Sequence, residues 1–136
     1  MTRYLALIDQ DENGFGAIFP DAPGCVAMGA TQEEAIKNAA DALSEWIGDL
    51  LGDGDDIPPP RTARELLRDK EVARDLAQGA ILASVHVLLN VGRPARANIS
   101  IDAGLLADID EASRRLGVTR SAFLSAAARD KIKSEV

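Results

Sequence analysis

The segment Arg96-Ala97-Asn98-Ile99-Ser100-Ile101 alternates polar and apolar residues and is followed at once by a helical pattern. Such alternation reads as a strand. A strand this short is not stable alone, because an isolated edge leaves its N–H and C=O groups unpaired. Alternation places Arg96, Asn98 and Ser100 on one face and Ala97, Ile99 and Ile101 on the other. The polar three are side-chain types that hydrogen-bond base edges. The segment therefore asks for a second copy of itself and for a nucleic-acid groove.

The residues that follow explain how a second copy is recruited. Asp102 is a good N-cap, and Leu105, Leu106, Ile109, Ala112 and Leu116 form the apolar stripe of a first helix. Gly117 stops it in the C′ role, and Thr119 caps a second helix. There Phe123, Leu124, Ala127 and Ile132 face inward, and Ala122, Ala126 and Ala128 permit close helix contact. Two helices of this size cannot bury their stripes within one chain. A dimer can, and it also pairs Arg96–Ile101 with its copy as an antiparallel ribbon. Ala97, Ile99 and Ile101 then cover a four-helix core, and the ribbon fits the major groove.

This strand, helix, Leu116-Gly117-Val118-Thr119-Arg120-Ser121 turn and helix resemble a ribbon-helix-helix DNA-binding domain. The resemblance implies base contacts by Arg96, Asn98 and Ser100. It also implies a phosphate held at the start of the second helix by Thr119, Arg120 and Ser121. Three alternating polar residues alone would read as the solvated face of an edge strand. The coupled turn and helices favour the ribbon.

Charge separates this module from the rest of the chain. The net charge of −7 is unevenly spread: residues 1–92 carry 7 Lys/Arg against 16 Asp/Glu, or −9, and residues 93–136 carry 8 against 6, or +2. Opposite signs suggest two modules with different partners. An acidic module binds nucleic acid poorly but associates quickly with a basic protein. Apolar residues make up 46% of the chain, enough for a packed core. The single cysteine, Cys25, excludes an internal disulfide, and with the single histidine, His86, it is too little for a zinc site. The opening apolar stretch is broken by Asp9 and Asp11, too short for a signal peptide or membrane span, so the expected compartment is the cytoplasm.

The acidic module reads as β-β-β-α-(α)-β, an α+β sandwich with helices on one sheet face. Tyr4–Ile8 is a strand buried on both faces, and Asn13-Gly14 signals a hairpin into Phe15–Phe19. Pro20–Gly24 is a rigid turn before a strand at Cys25–Met28. Thr31 and Glu34 form a capping box for a helix whose apolar face is Ile36, Ala39, Ala40, Leu43, Ile47, Leu50 and Leu51. Trp46 lies at its margin. Gly52–Pro60 is an acidic, proline-rich loop with no means of packing. A charged helix over Thr62–Leu76 turns Ala63, Leu66, Leu67 and Ala73 inward. Ala80–Leu89 is a fourth strand, and Asn90–Pro94 is a linker.

Phe19-Pro20-Asp21-Ala22-Pro23-Gly24-Cys25-Val26, then Gly29-Ala30-Thr31-Gln32-Glu33-Glu34-Ala35, preceded by Gly14-Phe15-Gly16-Ala17, resemble the signature of HicB-type antitoxins over residues 3–90. The resemblance implies a partial RNase H-like domain over residues 1–91, joined to the ribbon-helix-helix domain over 95–134. It implies that the chain neutralises a HicA-like toxin, a small basic ribonuclease, and represses its own operon by binding operator DNA. A homodimer is the minimum assembly, and pairing of the first modules would make a tetramer or more. For toxin contact the acidic hairpin offers Asp9, Asp11 and Glu12 as candidates and singles out none.

Two rivals follow from the residues. An RNase H-like nuclease needs converging carboxylates for two metal ions. Asp9, Asp11 and Glu12 instead cluster in a hairpin with Asp21 apart, and the fourth strand supplies no carboxylate, so a solvated acidic turn is the better reading. Cys25 with His86 as nucleophile and base lacks an orienting partner. A buried thiol and a hydrogen-bonded sheet histidine are favoured, and Trp46 reads as core-edge packing. A repressor sensing a small molecule remains open, and the lone Cys and His argue against a transition-metal sensor. No catalytic residue, metal or cofactor is expected.

Overall fold

A computed structural model describes residues 2–88 and 95–135. The chain divides into two compact units, Met1–Val91 and Gly92–Val136. The linker expected at Asn90–Pro94 lies outside the described residues.

The first unit is α+β. β1 (Thr2–Asp11), β2 (Gly14–Ile18) and β3 (Val26–Gly29) precede α1 (Gln32–Gly52), α2 (Ala63–Leu66) and α3 (Lys70–Ala77), and β4 (Ile81–Val87) closes the unit. The strands form one antiparallel sheet in the order β3-β2-β1-β4. β1 is central because it is apolar on both faces. Tyr4, Ala6 and Ile8 join Ala17, Val85 and Val87 against Ala39, Leu43 and Ile47 of α1. Leu7 points the other way and packs with Leu66 and Val72, flanked by Leu5, Leu76 and Leu82. Helices therefore pack on both sheet faces, on the second over β1 and β4 alone, and the expectation of helices on one face is corrected. Leu5 and Leu7 cannot be left in water, and α2 and α3 supply the cover.

The helix expected over Thr62–Leu76 is two helices. Thr62 caps α2 in a reciprocal box with Glu65, and Asp69 caps α3 by accepting from the N–H groups of Glu71 (3.0 Å) and Val72 (3.4 Å). Asp69 competes with the helical backbone and restarts the chain in a new phase. The inward set is accordingly Leu66 and Val72, while Ala63, Leu67 and Ala73 are exposed.

The β1–β2 turn is Glu12-Asn13, held by Asp11 Oδ1 accepting from Asn13 N–H at 2.7 Å, and Gly14 follows at φ 127°. Two successive tight turns, Ala22 N–H to Phe19 C=O and Cys25 N–H to Ala22 C=O, build the Pro-rich connection into β3. Thr31 caps α1 as expected, accepting from Glu34 N–H at 3.1 Å, while Glu34 reaches back to Ala30 N–H at 2.9 Å rather than to Thr31. The inner face of α1 begins one residue earlier than the pattern suggested, at Ala35, and Leu51 is exposed. β3 ends close beneath the Ala35 backbone, which leaves no room for a side chain at Gly29: a Cβ there would lie 2.3 Å from Ala35 N.

The Gly52–Pro60 loop does pack, against expectation. The Tyr4 hydroxyl donates to Pro58 C=O at 2.5 Å, and Ile57 rests on the main core. Asp21 then accepts from Arg61 N–H at 2.7 Å and from Arg61 Nε at 2.6 Å, and Arg61 also pairs with Asp69 at 3.3 Å. Polar side chains at the core's edge thus hold a loop whose own apolar content is slight.

The second unit holds α4 (Ala103–Leu116) and α5 (Arg120–Ser134). Asp102 accepts from Gly104 and Leu105 N–H, Gly117 closes α4 at φ 68°, and Thr119 accepts from Ala122 N–H at 3.1 Å. These caps stand where the sequence put them. Among the described residues of this unit only Ile109 and Ser113 are buried, and α5 has no buried residue.

Candidate functional site

Residues 95–101 take no strand pairing within the single chain, and Arg96, Asn98 and Ser100 are exposed. Ile99, on the alternate face, is 64% exposed, and Leu105 and Leu116 of α4 are 52% and 67% exposed. The apolar stripe of this unit is therefore presented rather than buried. Phe123 and Leu124 reach only partial burial, and Ala127 and Ile132 lie exposed.

Thr119, Arg120 and Ser121 come together at the start of α5. Thr119 Oγ1 takes the Ala122 N–H, which leaves the first-turn N–H groups of Arg120 and Ser121 pointing outward, as at any helix N-terminus. The Arg120 side chain is already engaged. Its Nε and Nη2 meet the two Asp110 carboxylate oxygens, each at 2.8 Å. That fork pins the start of α5 to α4. Arg120's hydrogen bond holds the Asp110 carboxyl below its usual range, and Asp110 raises the guanidinium in turn. Periodicity does not reveal this pair, although opposite charges flanking the Gly117 turn are its signal in the sequence.

The acidic hairpin residues Asp9, Asp11 and Glu12 are all exposed. Asp11 serves its own turn, while Asp9 stands opposite Gly16 in the β1–β2 register. Asp21 lies apart from them, its side chain 8% exposed and committed to Arg61. No group of three His, Cys, Asp or Glu side chains among the described residues could hold a metal ion. The geometry fits the solvated acidic turn.

Cys25 and His86 are not brought together. Cys25 sits in the core between sheet and α1, where burial pushes its thiol up. His86 pairs with Arg3 and alternates with buried Val85 and Val87, so it projects from the opposite face. Its Nε2 is buried with no hydrogen-bond partner among the described residues, which corrects the expectation of a partnered histidine. Burial and then the Arg3 charge favour its neutral form. Trp46 packs partly against the core and borders a shallow groove at the β3 edge with Glu45, Asp49 and Val26. No helix among the described residues is long and apolar enough to cross a membrane.

Comparisons with known proteins bear on both units. Residues 4–128 match the family described as HicB_like antitoxin of bacterial toxin-antitoxin system. The crystal structure of the Burkholderia pseudomallei antitoxin HicB is similar over 94% of this chain and 96% of that one, with 32% identity and a TM-score of 0.58. A structure of a HicA3 and HicB3 toxin-antitoxin complex is similar over 63% of this chain and 98% of that one, with 30% identity and a TM-score of 0.53. Antitoxin HicB 2 of Photorhabdus laumondii is 38% identical over 63 residues, 46% of this chain and 45% of that protein.

Proposed function

Because this chain belongs to the HicB-like family of bacterial toxin–antitoxin systems, we propose that residues 1–91 neutralise a small basic HicA-like ribonuclease toxin by direct binding, and that residues 95–134 repress the operon. Members of this family are antitoxins and not enzymes, and neither is this chain. The observation that carries the reading is a family match that runs through both units. The acidic first unit suits a basic partner, whose approach opposite charge accelerates. The finer identity proposed for that unit is a partial RNase H-like fold used for binding alone.

The second unit is proposed as a ribbon-helix-helix dimer. Its support is physical: Ile99, Leu105 and Leu116 are exposed in the single chain, and a second copy would cover them. Pairing the two 96–101 segments would present Arg96, Asn98 and Ser100 twice across a two-fold axis, the symmetry of a palindromic operator. The phosphate role falls to the backbone N–H groups of Arg120 and Ser121 with the Thr119 cap. The Arg120 side chain orients the helix through Asp110.

Binding of the full-length chain to its operator tests this. Arg96→Ala with Asn98→Ala should abolish specific binding and leave toxin binding intact. Operator affinity should also fall steeply with salt as phosphate contacts release counterions. Unchanged operator affinity in the double variant would show that the ribbon does not read the bases.

A further inference from the structure

The second face of the sheet is only half covered. Leu66 and Val72 close over Leu7 beside Leu5 and Leu82, which belong to β1 and β4. On β2 and β3 the same face carries Ile18, Val26 and Met28, which are 45%, 61% and 56% exposed. They are one patch by register: Ile18 stands opposite Val26, and Met28 opposite Gly16. Three large apolar side chains side by side on a regular sheet mark an interaction surface rather than scattered exposure.

Carboxylates border this patch. Asp9 stands opposite Gly16, and a Cβ on Gly16 would lie 2.9 Å from Asp9 Oδ1, so the carboxylate lies over the glycine next to Met28. Around the β3 edge, Val26 also borders the groove where α1 brings Glu45, Trp46 and Asp49. We propose that Ile18, Val26 and Met28, with Asp9 on one side and Glu45 and Asp49 on the other, form the docking surface for a basic protein partner, an inference that rests on the antitoxin reading.

Two observations favour a basic partner over a second copy of this unit. Residues 1–92 carry a balance of −9, so two copies apposed here would bring like charges together. Continuation of the sheet through β3 is also obstructed, because Met28 C=O already accepts from Asn38 Nδ2 at 2.7 Å. A basic partner meets neither obstacle. Its apolar side chains cover Ile18, Val26 and Met28, and an arginine or lysine reaches Glu45 and Asp49 beside the Trp46 ring, where a cation is attracted to the indole. Asp9 is then the hairpin carboxylate that faces the partner, whereas Asp11 is used by its turn.

The test is calorimetry of the full-length chain with a HicA-like toxin. Val26→Arg with Met28→Arg should weaken binding about 100-fold, as for loss of central interface anchors, and leave operator binding unchanged. Ile81→Arg, at the opposite edge of the sheet, should bind as the parent does. Far-ultraviolet circular dichroism checks the fold, and Val26→Ser with Met28→Ser carries the same test if the arginines prevent folding. If the parent chain itself does not bind the toxin, the antitoxin reading falls and this proposal with it. If the parent binds and the double variant binds equally well, the reading stands and the surface is elsewhere. A change in the chain's own mass by light scattering, with toxin affinity unchanged, would assign the patch to a second copy and overturn the proposal.

Discussion

Replacing Tyr4 by Phe removes one oxygen from the centre of the first unit and nothing else. The ring is fully buried, so the phenyl fills the same space and no cavity opens. What is lost is the hydrogen bond to Pro58 C=O, 54 residues away, which ties the α1–α2 loop to the sheet. A net hydrogen bond contributes about 1 kcal/mol, and leaving a partly buried carbonyl without its donor brings the cost to about 2 kcal/mol. For a unit of this size each kcal/mol lowers Tm by about 4–8 °C. Trp46 is the only tryptophan and packs against the same core, so urea denaturation followed by its fluorescence reads this unit alone. The midpoint should fall with the slope unchanged, because no additional surface is exposed. The phenol adds an alkaline signature. Burial, and then the Asp21 charge, raises its pKa above the ordinary 10.0. Above about pH 10 the unfolded chain gives up this proton while the folded one keeps it. The folded state then binds more protons, so stability falls as pH rises further, and below pH 10 the contribution is complete. The Phe variant lacks that part of the fall. A variant as stable as the parent, with the same alkaline decline, would mean that the Tyr4–Pro58 bond does not hold the loop.

Gly29→Ala should destabilise the same unit by about 3 kcal/mol or more, since the new Cβ meets the Ala35 backbone at 2.3 Å and neither chain can yield. Gly48→Ala, with nothing within 4 Å, should instead add about 0.5–1 kcal/mol in the same urea titration. Dilution of the full chain from micromolar to nanomolar should speed amide exchange in α4 and α5 and leave β1 protected, if a second copy completes the second unit. On acidification the Asp110 carboxyl, titrated by NMR, should protonate below its ordinary 3.8. Its pairing then contributes above about pH 4 and is lost as pH falls through the folded value. Arg120→Ala should move the titration back toward 3.8.

Capping and turn residues were legible because their chemistry is local. Thr31, Asp102, Gly117 and Thr119 each act on backbone within a few residues, and each stands where the pattern put it. The double burial of β1 was legible for a related reason: an unbroken Tyr4–Ile8 run has no polar face to give to water. Other features were hidden because their partners are far away in the chain. The break at Asp69 depends on a side chain leaving the helical pattern to cap a new start, and it turned Val72 inward in place of Ala73. The packing of the Pro58 loop depends on Tyr4, and the second covered face on Leu7 meeting Leu66.

The same division runs through the functional surfaces. Sequence alone pointed to a second copy for residues 96–101 and the two following helices, because alternation and amphipathic stripes fix which side chains share a face. It also determined the charge split, which suggests two unlike partners. Only the tertiary structure decided which half of the sheet stays open. Ile18, Val26 and Met28 read as ordinary strand residues until register placed them side by side and α2 and α3 stopped short of them. It also decided that the Arg120 guanidinium belongs to Asp110, since a fork of two 2.8 Å bonds depends on where two helices meet. Periodicity assigns a residue to a face, and only packing determines whether that face is covered.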